Sequence, residues 1–89
     1  MNDAEYRVLD RLFFPEPFGK LPEETGLPPK LVAAALRQLV HQRMVTAMTW
    51  DAGRSEWSPT KAYNADDLTG YAFQITHRGL DAYQHSGKS

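Results

Sequence analysis

Residues 28 to 43, "PPKLVAAALRQLVHQR", combine a helical apolar repeat with a start signal and no internal breaker. Two prolines open the stretch, and proline suits the entry and first turn of a helix because its missing N–H would be unpaired there anyway. Val32, Ala35, Leu36, Leu39 and Val40 then recur at the spacing that lines one side of a helix. A helix of this length spans about 24 Å at 1.5 Å per residue. The opposite side carries Lys30, Ala33, Ala34, Arg37, Gln38 and His41. That face lacks carboxylates and sets two bare alanines among its cations. It suits close approach to something anionic, and it equally suits an ordinary solvated surface, since alanine is the best helix former.

The rest of the chain must pack against that stripe within 89 residues, which bounds the answer to one small domain. A domain of this size buries a little over ~60% of its unfolded surface, enough for one core without staples. With no cysteine, disulfides and thiolate metal sites are excluded. No apolar run approaches the ~18 residues of a membrane span, and "MNDAEYRVLDRL" lacks the basic start and apolar core of a signal peptide. A soluble, cytoplasmic protein is expected. The net charge of −1 does not point to nucleic acid, but its distribution is uneven. Residues 19–45 are net positive, with Lys20, Lys30, Arg37 and Arg43 against Glu23 and Glu24, whereas residues 1–18 and 46–70 are net negative.

Upstream, "NDAEYRVLDRLFF" places Tyr6, Leu9, Leu12 and Phe13 at helical spacing, with Asn2 or Asp3 as cap and Pro15 and Pro17 as stops. This predicts a first helix over about residues 3–14. "FGKLPEETGL" predicts one or two helical turns near residues 20–25, closed by Gly26. Downstream, "MVTAMTW" and "YAFQIT" alternate as strands, and the second presents Tyr71, Phe73 and Ile75 on one face. The two can pair antiparallel. Between them, residues 51–70 collect Gly, Pro, Ser, Asn and Asp and read as a long loop. "THRGLDAYQ" reads as a short helix capped by Thr76 with Leu80 and Tyr83 turned inward, and the tail at 85–89 is expected to be disordered.

Short helix, glycine turn, longer helix and β-hairpin together resemble a winged helix-turn-helix domain. "LPEETGLPPKLVAAALRQLVHQRMV" looks like the tri-helical core of that family, and "ITHRGLDAY" looks like its step from wing to last helix, as in small bacterial regulators of the MarR and PadR type. The resemblance covers about residues 4 to 84. It implies an α+β, mostly helical fold, with a three-helix core, a two-stranded antiparallel wing and a C-terminal helix. It also implies transcription regulation through sequence-specific binding of double-stranded DNA. Two features depart from the family. The wing is normally tight, whereas some 20 residues separate the strands here, either as a long mobile wing or as an added strand pair around Asp51–Gly53. The domain is also faintly acidic.

Under this resemblance the helix at 28–43 enters the major groove. Lys30, Arg37 and Arg43 hold phosphates, and Ala34, Arg37 and Gln38 meet base edges, with Ala33 and His41 on the same face. Arg54 or Lys61 touches the backbone from the wing, and the acidic end near Asp66 faces away, because Asp51, Glu56, Asp66 and Asp67 would repel phosphate. Two half-sites imply a homodimer, formed through Tyr6, Leu9 and Phe13 of the first helix and Leu80 and Tyr83 of the last. The competing reading is a winged-helix module that contacts protein without binding DNA, through the same surface or the Trp-bearing loop. Trp50 and Trp57 are expected to cover the core under the long loop.

No cofactor, metal or enzymatic chemistry is expected. His41, His77 and His85 lack ligand spacing, and no nucleophile–base or carboxylate pair is suggested. "AYQHSGKS" fits a degenerate phosphate-loop pattern, but such a loop needs a strand before it and a helix after it. The sequence ends at Ser89 without that helix, so coincidence is expected.

Overall fold

The computed structural model describes residues 1–86. Helix α1 (Asp3–Leu9) starts on a reciprocal cap: the Asn2 side chain accepts from the Glu5 amide at 2.8 Å, and the Glu5 carboxylate accepts from the Asn2 amide at 3.1 Å. The helix ends well short of residue 14. The Arg11 and Leu12 amides turn back to the Val8 and Leu9 carbonyls in tighter turns, which sends Leu12 into the core. Its carbonyl then accepts the Ile75 amide at 2.7 Å, a tie to the sheet that a continuing helix would not allow.

Strand β1 (Glu16–Pro17) follows, then a tight turn at Phe18–Lys20 and helix α2 (Leu21–Thr25). Pro22 sits in the first turn of α2, and Gly26 closes it at φ 72°, a left-handed conformation that glycine adopts without steric penalty. Helix α3 (Pro29–His41) buries Val32, Ala35, Leu36 and Leu39, four of the five stripe residues expected from the spacing, with Val40 half-buried. It ends at His41 because the Arg43 and Met44 amides fold back to the Val40 and Leu39 carbonyls. In that closing turn Arg43 occupies the left-handed region at φ 62°, where a non-glycine residue is strained by about 1–2 kcal/mol.

Strands β2 (Val45–Asp51), β3 (Glu56–Pro59) and β4 (Tyr71–Ile75) complete an antiparallel sheet in the order β1-β4-β2-β3. The expected pairing of the two long strands is present, from Val45 opposite Ile75 to Thr49 opposite Tyr71. The two-stranded expectation is corrected, since among the described residues the sheet has four strands, and the alternative of an added strand pair around Asp51–Gly53 is present as β2 and β3. β1 escapes a periodicity reading because it is two residues long and holds Pro17, which has no donor for a ladder and is tolerated at an edge. β3 forms because Asp51 Oδ1 accepts from the Gly53 and Arg54 amides, folding the chain back on β2 so that Asp51 faces Glu56 and Trp50 faces Trp57.

Residues 60–70 are a strap rather than a mobile loop. From the far side of β3 the chain must cross β2 to reach β4, and it crosses on the helix-bearing face, where Leu68 is buried and Tyr63 packs against the core. Local polar bonds shape it: Asn64 caps the Asp66 amide, Asp67 caps the Thr69 amide, and the Asn64 amide donates to the Tyr71 hydroxyl.

Helix α4 (His77–Ser86) is capped by Thr76, whose hydroxyl accepts from the Gly79 amide at 3.0 Å. Tyr83 stacks on Tyr6 at 4.9 Å, meets Phe13 edge-on at 5.3 Å and donates its hydroxyl to Asp10, tying α4 to α1. The tail expected to be disordered from residue 85 is corrected at its start, because His85 and Ser86 continue α4; its remainder, 87–89, and with it part of the phosphate-loop-like match, lies outside the described residues. Helices hold more residues than strands in this small α+β fold. Among the described residues no helix is long and apolar enough to cross a membrane.

Candidate nucleic-acid interface

With its apolar stripe spent on the core, α3 leaves Lys30, Ala34, Arg37, Gln38 and His41 exposed on one outer face. No carboxylate occurs in the helix. Its first turn has no side-chain cap and no acidic residue, so the positive end of the helix dipole is not neutralised by its own sequence. Ala33 is a correction to the expected set. It is half-buried and packs against the core, on the flank shared with Val40, whereas Ala34 is exposed.

The same flank meets the strap. Arg37 Nη1 donates to the Ala65 carbonyl at 3.2 Å, and the exposed Asp66 and Asp67 follow immediately. The acidic end, expected to face away from a phosphate backbone, thus lies on a strap that is bonded to the helix through Ala65. Leu68 and Tyr63 anchor the strap in the core, and the chain between them has to run alongside α3.

The remaining cations are dispersed. Arg54 stands at the tip of the β2–β3 turn, flanked by Asp51 at 4.0 Å and Glu56 at 3.9 Å, so its charge is locally balanced. Lys61 lies beyond the opposite end of β3, next to Thr60, whose amide bonds Ala47. The structure thus separates Arg54 from Lys61, by about 15 Å along the strands. Lys61 instead joins Arg43 at the edge of a groove of about 790 Å³ between the end of α3, β2 and the strap.

Three of the six carboxylates in residues 1–45 lie together, with Arg11 among them. Asp10, Glu16 and Glu24 border a shallow recess on the α1–α2 side, with Phe13 and Phe14 beside them. Partial burial, and then repulsion from Glu24, push the Glu16 carboxyl above its ordinary value, with Lys20 opposing. Among the described residues, no three acidic or histidine side chains are grouped to hold a metal ion.

Trp50 and Trp57 do not cover the core. Val45 and Ala47 point inward, so the two-residue repeat of a strand turns Thr46, Met48 and Trp50 to the other face. There the two indoles meet edge-on at 5.4 Å, and Trp50 is 53% exposed. The adjacent row across all four strands reads Pro17, Ala72, Met48, Pro59, which makes this outer face apolar. The parity of Val45 and Trp50 was legible in the sequence; the side covered by helices was not. No protein-family model matches this chain, and no curated protein sequence matches it.

Proposed function

We propose that this chain is a winged helix-turn-helix module, of the small MarR/PadR-like regulator kind, that binds double-stranded DNA with α3 in the major groove. The observation that carries the reading is the outer face of α3: exposed, without a carboxylate, and bearing donors around the small Ala34. Ala34 lets the helix backbone approach a groove floor. Gln38 can pair with an adenine edge, and Arg37, once released from Ala65, can offer two donors to guanine. Lys30 at the uncapped helix start, and His41 on the same face, serve phosphates. Arg43 and Lys61 extend the positive side toward the backbone, while Arg54 contributes less because Asp51 and Glu56 already flank it. Asp10, Glu16 and Glu24, on the α1–α2 side with Arg11, are carboxylates that the outer face of α3 does not carry.

One module covers limited DNA, so specificity calls for a homodimer. Leu9 is buried, and Tyr6 and Tyr83 are stacked on one another. The groups free to meet a second copy at this end are therefore Phe13, 39% exposed, and Phe14, 78% exposed. A strictly monomeric species in sedimentation at high micromolar concentration would sink this part.

An amide NMR titration with a 20-base-pair duplex, at low and at raised salt, tests the reading. Shifts at Lys30, Ala34, Gln38 and His41 that fade with salt are expected, since phosphate contacts release counterions. Silence at low salt would overturn it. A second reading, docking of a protein on the outer sheet face, is favoured by the exposed Trp50–Trp57 pair, and its affinity would respond weakly to salt.

A further inference from the structure

We propose that the free edge of β3 pairs with the same strand of a second copy, antiparallel about a two-fold axis at Trp57. β3 ends the sheet on its side, so one row of its backbone groups faces no strand. These groups alternate in direction along a strand. The Thr60 amide donates to the Ala47 carbonyl at 3.0 Å, so Ser58 and Glu56 also turn to β2, whereas Trp57 and Pro59 turn outward. Pro59 has no N–H, which leaves Trp57 with the one outward amide donor of β3 and a carbonyl beside it. With the axis at Trp57, each of these amides donates to the other's carbonyl. One residue later, each Trp57 carbonyl would face the Pro59 nitrogen, which has no hydrogen to give. Ser55, left-handed at φ 52°, has already left the ladder and ends the pairing there.

Charge and apolar surface are self-complementary in the same register. Ahead of β3 the hairpin tip holds Asp51 and Glu56 against Arg54. Beyond its far end stands Lys61, which among the described residues is in no ion pair. An antiparallel two-fold sets the Lys61 end of each copy beside the more acidic tip of the other. On the outer face Trp50, 53% exposed, and Trp57 bring four indoles together across the axis. Neither 46–50 nor 57–59 contains a charged residue that would oppose this. Four residues per copy make a small contact, so self-association in the range of about tens to hundreds of micromolar is expected. The contact involves neither Phe13 nor Phe14, and it does not depend on DNA binding.

The test is an NMR dilution series of the full chain from millimolar to low micromolar concentration, with sedimentation equilibrium alongside. The amides of Glu56, Trp57 and Ser58 and both indole N–H groups are expected to move with concentration. In a sample mixing labelled and unlabelled chains, a cross-peak should join Glu56 Hα of one copy to Ser58 Hα of the other, which this register sets directly opposite. Trp57→Pro removes the edge donor and the indole but no β2–β3 bond, and should weaken self-association at least about tenfold. Lys61→Glu and Glu56→Lys should each weaken it several-fold, and their equimolar mixture should recover the original affinity, which a folding defect cannot produce. A monomer at millimolar concentration, shifts confined to Phe13 and Phe14, unchanged association of Trp57→Pro, or a mixture no tighter than either variant alone would overturn the proposal. A cross-peak between copies at other strand residues would overturn the pairing at Trp57.

Discussion

The Arg37 guanidinium on α3 donates to the backbone carbonyl of Ala65, 28 residues further along the chain, at 3.2 Å. This single bond joins the exposed face of the long helix to the strap that crosses the sheet. It is solvent-exposed and leaves most of the guanidinium's donors uncommitted, so it positions Arg37 without locking it away.

Arg37→Glu reverses the charge at the centre of the proposed interface. DNA affinity should fall by at least about a hundredfold at low salt, measured by fluorescence anisotropy. Urea stability should change by less than about 1 kcal/mol, because the lost bond is exposed. Retained DNA affinity would remove α3 from the recognition role.

Gly79→Ala tests the packing of α4. In an open helix this exchange gains up to about 1 kcal/mol. Here an added Cβ would collide with the Met44 carbonyl oxygen and come within 2.9 Å of Ile75 Cγ1. Destabilisation of about 1–3 kcal/mol is expected in urea unfolding, a reversal of sign. A neutral or stabilising result would mean that α4 does not seat on the turn after α3.

Arg43→Gly should raise stability by up to about 1 kcal/mol, since relief of the left-handed strain exceeds the added backbone entropy of glycine. A thermal melt that moved downward would show that the Arg43 side chain contributes packing which outweighs its backbone strain.

Glu16 makes stability pH-dependent in a defined direction. Its carboxyl is raised in the folded state, by burial first and by Glu24 second, so the native state favours the protonated form. Its penalty is absent below the ordinary carboxylate range and sets in as pH rises through the raised value. Glu16→Gln should therefore stabilise the protein modestly at pH 7 and lose that gain near pH 3. A gain independent of pH would exclude this electrostatic origin.

Trp50→Thr separates an outer-face indole from one in the core. Loss of the edge-on pair with Trp57 should lower stability by about 1 kcal/mol, and the emission lost relative to the unsubstituted protein should be that of a water-exposed indole. A loss of 3–5 kcal/mol, as for a buried tryptophan, would mean that the strand faces are inverted.

Local signals sufficed where the chain's own neighbours decide the conformation. The 3.6-residue repeat after Pro28–Pro29 marked α3 and its buried stripe, Gly26 marked the end of α2, and Thr76 the start of α4. The alternation in β2 and β4 marked the central pair of the sheet. The exposed face Lys30, Ala34, Arg37, Gln38 and His41 followed from that repeat, because a helix that buries one side must present the other. Elsewhere the outcome rested on partners distant in sequence. β1 exists because two residues, one of them proline, lie beside Phe73 and Ala72. The strap follows the helix side of the sheet because Leu68 and Tyr63 find apolar company there. That route buries the Ala33 flank, brings Ala65 to Arg37 and joins Lys61 to Arg43 at a groove. Which residues form helix and strand was settled by steric and periodic preferences within a few neighbours; which cations share a surface was settled by burial of apolar side chains on segments far apart in the chain.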